Sequence, residues 1–352
     1  MRLLIYSPAF LPAIGGLELV TAELAEQFAR RGEQVVVVTR TAAEQPDRCS
    51  FRVVRVPSPL ELVRWVRWCD VFMQQNVSLR GLWPLLLVRR PWVVSHHSWY
   101  CRSDGRIAWQ DRLKRHLLRY AAASVAVSQA VAADLATPSV VIPNAYRDWL
   151  FRILPEADRN ADLVAVGRLV SDKGFDLLLK ALAVLAAEGM RPGLTIVGDG
   201  PERPGLEAQA ERLGIAAQVS FRGAVMGEPL VRLLNEHRVL AVPSRYNEPF
   251  GIVALEGIAC GCAVVGSAGG GLADAIGSCG LTFPNGDVPA LARALADLLR
   301  DPATRQACLR HAPEHLARHT STRVTQLYLE ALAAAVHRAP RGRAALARSG
   351  AR

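Results

Sequence analysis

Short runs of apolar residues alternate with longer segments whose apolar positions recur three and four apart. RLLIY opens the series, GGLELVTAELAEQFARRG follows at helical spacing, and QVVVVT closes the first unit. DVFMQ, PWVVSHH, ASVAVS and SVVIPN continue it. Such runs read as fully buried strands, and helices between them read as parallel βαβ units. The second half repeats the scheme. DLVAVGR, GLTIVGDG, QVSFRG, RVLAVPS, CAVVGS and CGLTF are its strands. FDLLLKALAVLAAEG, 202–213, 228–237, GIVALEGIACG and VPALARALADLLRD are helices between and after them. The pattern predicts an α/β chain of two doubly wound parallel-sheet domains, 1–150 and 160–319. Strand periodicity lapses and charge rises at 144–162, which marks the boundary. After 302 only helical patterns remain. STRVTQLYLEALAAAV predicts a helix at about 320–337 with Ser321 as its N-cap. The basic tail 338–352 lacks aromatic residues and reads as disordered.

The 352 residues, half of them apolar, agree with two domains. A formal charge of +10 favours phosphate-bearing partners, or reflects only a soluble arginine-rich surface. The seven cysteines are scattered and form no Cys-x-x-Cys, as expected of a reduced, cytoplasmic chain. Cys260 and Cys262 flank a turn and read as buried small hydrophobes rather than metal ligands. MRLLIYSPAF is too short an apolar run for a signal peptide and reads as a strand. GLWPLLLVRRPWVV is interrupted by Arg89, Arg90 and Pro91, so no transmembrane helix is expected.

Candidate chemistry gathers where strands end. In PAIGGLE, Gly15 and Gly16 lie between a strand and a helix; they either admit a ligand to the backbone or form an ordinary turn. In VGRLVSDKG, Gly167, Arg168 and Lys173 follow a strand, and two cations there suit phosphate. VGDGPE places Gly198 at another strand end, with Asp199 in a turn or capping role. In SHHSW, strand alternation aims only one of His96 and His97 at a ligand, as a donor to a hydroxyl or to developing charge.

NEPFGIVALEG holds Glu248 and Glu256 eight residues apart. Gly251 starts a helix there and Gly261 ends it, so Glu248 lies before the helix and Glu256 about one and a half turns inside. The helix start between them offers N–H groups to an anion, near Phe250, Gly251 and Ile252. Carboxylates match paired sugar hydroxyls. Read alone, glutamates at this spacing are usually a solvated surface pair. No Asp-x-Asp occurs, so positive charge for a diphosphate must come from the protein; no metal and no cofactor are expected.

These residues together resemble the retaining glycosyltransferases of family GT4, over nearly the whole chain to about 335. GGLE, PWVVSHH, AVSQAVAADL, VIPNA, GRLVSDKG, VGDGP and above all the E-x7-E stretch EPFGIVALEG carry the resemblance. Ala145, Ala263 and Asp274 depart from it, standing where glycine, proline and glutamate are usual. The resemblance implies a GT-B fold: two Rossmann-like domains facing a cleft, with the last helix crossing back to the first domain. It implies transfer of a sugar from a nucleotide-diphosphate donor, such as a UDP-, GDP- or ADP-hexose, to an acceptor hydroxyl with retained configuration. Arg168 and Lys173 would neutralise the leaving diphosphate, Glu248 would hold the donor sugar and Glu256 the ribose. Backbone N–H groups near Phe250, Gly251 and Ile252 would meet sugar and phosphate. Gly16 would let the first domain close over the donor, and the offset from Pro91 selects His97 to approach the sugar. The leaving phosphate itself would deprotonate the acceptor in a front-face attack, and no side chain is assigned as general base.

The acceptor side is less legible: a glycan, a lipid-linked sugar or a small molecule all fit. LVRWVRW at 62–68 and the segment 106–120, with Arg112, Arg115 and Arg119 at helical spacing, are basic and amphipathic. Such a helix either lies on anionic lipid at the inner face of the membrane or is a solvated face. An epimerase acting on sugar nucleotides has the same fold but does not need the EPFGIVALEG pattern. A non-catalytic nucleotide-sugar or membrane-binding module is disfavoured by the intact Arg168, Lys173, Glu248 and Glu256. No nucleic-acid motif is present.

Overall fold

The structure, a computed structural model, describes residues 1–13, 15–101, 106–135 and 137–338. The tail from Ala339 on, expected to be disordered, lies outside the described residues.

The apolar runs form two parallel sheets. The first contains β1 (Arg2–Ser7), β2 (Gln34–Thr39), β3 (Arg52–Arg55), β4 (Val71–Gln75), β5 (Trp92–His96), β6 (Ala123–Ala126) and β7 (Val140–Val141), in the order β3-β2-β1-β4-β5-β6-β7. Leu3, Leu4, Ile5, Val37, Val71, Met73, Val93 and Val94 are fully buried, as strands covered on both faces must be. The strand β3 was not foreseen. Its four residues carry an arginine at each end, and only Val54 is buried. An edge strand needs only one apolar contact line, which leaves little periodicity to read.

The second sheet contains β8 (Ala161–Val166), β9 (Leu194–Val197), β10 (Val219–Phe221), β11 (His237–Val242), β12 (Ala263–Ser267) and β13 (Gly280–Phe283), in the order β10-β9-β8-β11-β12-β13. Its core packs the helices Phe175–Ala187 and Val288–Arg300 through Leu178, Leu182, Leu291 and Leu295. Cys260 and Cys262 are buried, and burial pushes both thiols up to about 12. Buried thiols of this kind behave as small hydrophobes.

The chain divides into two compact units. One contains 1–126, 132–142 and the chain from Thr325; the other contains 127–131 and 143–324. Residues 143–150, assigned by periodicity to the first domain, thus pack with the second. The charge in this stretch explains the difference. Arg147 pairs with Glu256 at 2.9 Å, and Asp148 accepts the Ser321 N–H at 3.0 Å. The last helix is Ser321–Arg338. Its N-cap is Thr320, not Ser321: the Thr320 hydroxyl accepts the Arg323 N–H at 3.2 Å. Ser321 is drawn elsewhere, its N–H to Asp148 at 3.0 Å and its hydroxyl to the Tyr146 carbonyl at 3.3 Å. Further along, Tyr328 packs edge-on against Phe28 in the N-terminal unit, ring centres 6.5 Å apart. Among the described residues no helix is long and apolar enough to cross a membrane.

Candidate active site

In the second sheet, β8 and β11 are neighbours whose connections run in opposite directions. Outside the carboxyl ends of such a pair lies the crevice where open α/β sheets bind ligands. The loop after β8 carries Lys173, and the loop after β11 carries Glu248. Lys173 Nζ donates to Glu248 Oε1 at 2.6 Å. The Ser244 hydroxyl donates to the same oxygen at 2.7 Å. Glu248 is only 8% exposed, so it is no solvated surface group. The loops are also tied by backbone, Arg245 N–H to the Asp172 carbonyl at 2.9 Å. Lys173 therefore spends part of its charge on Glu248. Arg168 is exposed, and its side chain has no hydrogen-bond or ion-pair partner among the described residues.

A second contact holds Glu248 from behind. Its carbonyl accepts the Gly271 N–H at 2.7 Å, and its backbone bridges Gly270. Gly270 sits at φ 77°, and a Cβ there would lie 2.2 Å from the Glu248 carbonyl oxygen. Only glycine meets both conditions. Gly270 thus clamps Glu248, a role that no local pattern in the sequence marks. Asp274, in the same region, accepts the Gln129 N–H at 3.1 Å.

The helix Ile252–Ala259 starts after Gly251, and Phe250 turns inward, 3% exposed, with its ring 5.8 Å from that of His319. Phe250 can therefore offer only backbone groups to a ligand. Glu256 lies inside the helix and is 8% exposed. Arg147 Nη2 donates to its Oε1 at 2.9 Å, and the guanidinium stacks over Phe151 at 4.9 Å. Burial raises the Glu256 carboxyl above the usual range, and Arg147 pulls the other way. Arg147 had no signal in the sequence: its partner is 109 residues away.

Gly198 and Gly167 meet each other. Gly198 has φ 140°, and a Cβ on it would lie 1.8 Å from the Gly167 carbonyl oxygen. Packing of the two strand ends thus already requires glycine at 198. Asp199 takes a turn role, accepting the Gly200 N–H at 2.8 Å.

The N-terminal unit holds the remaining candidates. Gly16 begins the helix Gly16–Arg30 and Gly15 caps it in extended backbone. The Glu18 carboxylate folds over Gly15, 2.4 Å from where a Cβ would be, and so already supplies negative charge at this helix start. His96 and His97 point apart. His96 is buried, with Nδ1 2.6 Å from the Tyr100 hydroxyl and Nε2 2.9 Å from the Ser124 hydroxyl; burial lowers its pKa to about 3. His97 is half-buried at the carboxyl end of β5, with Nε2 2.7 Å from the Ser95 hydroxyl. Its N–H donates to Asn76 Oδ1 at 2.7 Å.

Two family profiles match consecutive parts of the chain: Glycosyltransferase Family 4 over residues 14–148, and Glycosyl transferases group 1 over 147–315. The chain belongs to the family 4 glycosyltransferases. This glycosyltransferase is 29% identical to the 2-deoxystreptamine N-acetyl-D-glucosaminyltransferase of Streptomyces fradiae, over 95% of this chain and 94% of that one. It is 28% identical to an uncharacterized glycosyltransferase of Methanocaldococcus jannaschii, over 75% of this chain and 79% of that one. Its structure is similar to that of Anabaena HepE in complex with UDP, with a TM-score of 0.82 and 22% identity, covering 95% of this chain and 100% of that one. The glycosyltransferase has the GT-B fold, as its two parallel sheets and this neighbour agree.

Proposed function

We propose that this glycosyltransferase moves a hexosyl group from a nucleotide-diphosphate donor to an acceptor hydroxyl, with retention and without a metal ion. The observation that carries the reading is the buried Glu248 paired with the half-exposed Lys173, with the exposed Arg168 in the same loop as Lys173, at the strand crossing of the second sheet. Lys173 and Arg168 supply the positive charge that a departing diphosphate needs, in the place of a cation. Glu248 has one oxygen engaged by Lys173 and Ser244, which suits gripping sugar hydroxyls better than attacking carbon. Glu256 takes the ribose hydroxyls. N–H groups of Gly251 and Ile252 meet phosphate, with Gly167 and Gly198 shaping the floor. On the N-terminal unit, Gly15, Gly16 and His97 are assigned to the donor, His97 to a sugar hydroxyl. The Anabaena neighbour has also been solved with UDP-glucose, which favours a uridine donor here too.

A thermal-shift series with UDP-, GDP- and ADP-sugars tests the donor. The true donor at a hundred times its Kd stabilises the folded protein by about 2.7 kcal/mol. Transfer is expected to proceed unchanged in excess EDTA, and the product to keep the donor's anomeric configuration by NMR. Loss of transfer in EDTA, restored by a divalent ion, overturns metal independence.

For the acceptor we propose peripheral contact with anionic lipid on the N-terminal unit. The helix Trp109–Leu117 has no buried residue, and Trp109 and Tyr120 are 70% and 68% exposed. Arg115 is not part of this face: it pairs with Asp134 at 2.7 Å. Arg112 and Arg119 remain. Sedimentation with phosphatidylglycerol vesicles is expected, and Trp109→Ala with Arg112→Ala is expected to weaken it several-fold, at roughly 1 kcal/mol per basic residue. Equal recovery with purely zwitterionic vesicles sinks this part of the proposal.

A further inference from the structure

Three loops of the second sheet meet on one side chain, Asn285. It lies just after β13 and is half-buried. Its Oδ1 accepts the Gly269 N–H at 2.8 Å, in the loop after β12. Its Nδ2 donates to the Arg245 carbonyl and to Asn247 Oδ1, both at 3.2 Å, in the loop after β11. The strands β11, β12 and β13 are neighbours in that order, so their carboxyl ends set the three loops side by side. All of these residues belong to the second unit.

The backbone partners fix the direction of the amide. An N–H only donates and a carbonyl only accepts, so the oxygen of Asn285 faces Gly269 and its nitrogen faces Arg245. A flipped amide would lose both bonds. The nitrogen then also faces Asn247, which presents its oxygen. Gly269 leaves the room for this contact. A Cβ there would lie 2.1 Å from Asn247 Oδ1 and 2.6 Å from Asn285 Nδ2.

Both segments that Asn285 holds lead to Glu248. The Arg245 backbone is bridged, with its N–H on the Asp172 carbonyl beside Lys173 and its carbonyl on Asn285. Asn247 directly precedes Glu248. On the other side, the chain bonded at Gly269 continues into Gly270 and Gly271, which clamp the Glu248 backbone. The hydrogen bonds of Asn285 reach neither the Glu248 carboxylate nor Lys173. We propose that Asn285 is a positioning residue for Glu248, setting the carboxylate where it meets Lys173 and the transferred sugar. The catalytic part of this proposal rests on the assignment of Glu248 to the donor sugar. Because Lys173 bonds to Glu248, a small shift of this loop disturbs both groups at once.

Two variants of the full chain separate the bonds. Asn285→Ala removes all three. Asn285→Asp keeps the size and the acceptor for Gly269, but at neutral pH it has no proton for the Arg245 carbonyl. Amide hydrogen exchange by NMR reads the clamp at Gly271, whose N–H is bonded to the Glu248 carbonyl and not to Asn285. Exchange there is expected to be about tenfold faster in Asn285→Ala, and intermediate in Asn285→Asp. Transfer is followed with UDP-glucose and product inhibition with UDP, or with the GDP or ADP pair that thermal shift selects. Asn285→Ala is expected to lower kcat about tenfold and Asn285→Asp about threefold, while the inhibition constant of the nucleoside diphosphate moves by less than about twofold. On a Glu248→Gln background, Asn285→Ala is expected to cost less than about twofold more, since the group it positions is already disabled.

Unchanged Gly271 exchange in Asn285→Ala overturns the clamp. An unchanged kcat, an inhibition constant that rises in step with the loss of kcat, or the full loss repeated on Glu248→Gln overturns the positioning of Glu248. An Asn285→Asp variant equal to the unmodified protein in both readings overturns the part given to Arg245 and Asn247. Full transfer by Glu248→Gln overturns instead the assignment of Glu248 to the sugar and leaves the exchange result standing.

Discussion

Lys173→Ala and Glu248→Gln are each expected to lower kcat for sugar transfer by about 10²–10³, the loss typical of removing one preorganised charge contact. The two variants fail for different reasons. Without Lys173 the leaving diphosphate loses a cation, and Glu248 is left as a mostly buried carboxylate without its partner. With glutamine at 248 the shape is kept, but the acceptor for sugar hydroxyls and the anchor for Lys173 are weakened together. Because Lys173, Ser244 and Glu248 share one oxygen, the double variant Lys173→Ala with Glu248→Gln should be about as slow as the slower single one. Steady-state kinetics with the donor found by thermal shift provides the check. Either single variant within threefold of the unmodified enzyme removes the pair from the mechanism. Additive losses would mean that lysine and glutamate act separately, although they touch.

Much of this site was legible because the chemistry sits at strand ends, and strand ends are easy to find in a parallel sheet. Lys173 and Glu248 could each be placed in a loop after a strand from the order of apolar runs alone. The direct bond between them could not, since 75 residues separate them. Partners of buried charges are the part that escapes periodicity. Arg147 lies in a connecting segment, and nothing local marks it as the partner of Glu256. The glycines show a similar limit. A sequence tells that a strand end needs room, but at Gly198 the room is filled by Gly167, and at Gly270 by the backbone of Glu248. The N-cap of the last helix shifted from Ser321 to Thr320 because Tyr146 and Asp148 compete for Ser321, a tertiary effect on a local rule.

Arg147→Met is expected to be the most pH-sensitive variant of this protein. Burial already holds the Glu256 carboxyl above its ordinary range, and Arg147 alone opposes that shift. Cys260, nearby, is neutral through this range, its thiol pushed up to about 12. Removing Arg147 raises the Glu256 pKa further. An acid whose folded pKa exceeds its unfolded one favours the folded state when protonated. That contribution is present below the ordinary carboxylate range and is lost as pH rises through the raised value. The variant should therefore match the unmodified protein near pH 5 and fall behind as pH climbs, by about 3 kcal/mol once the charge is forced. Urea unfolding at several pH values measures this directly. Pairing Arg147→Met with Glu256→Gln should flatten the profile and recover most of the loss, since no buried charge remains. Donor KM at neutral pH should rise roughly tenfold in Arg147→Met, the cost of one charged hydrogen bond to the ribose. A stability deficit independent of pH would mean that Arg147 acts by packing on Phe151 and not through Glu256. An unchanged donor KM beside the expected pH profile would keep the ion pair but take Glu256 out of the nucleotide site.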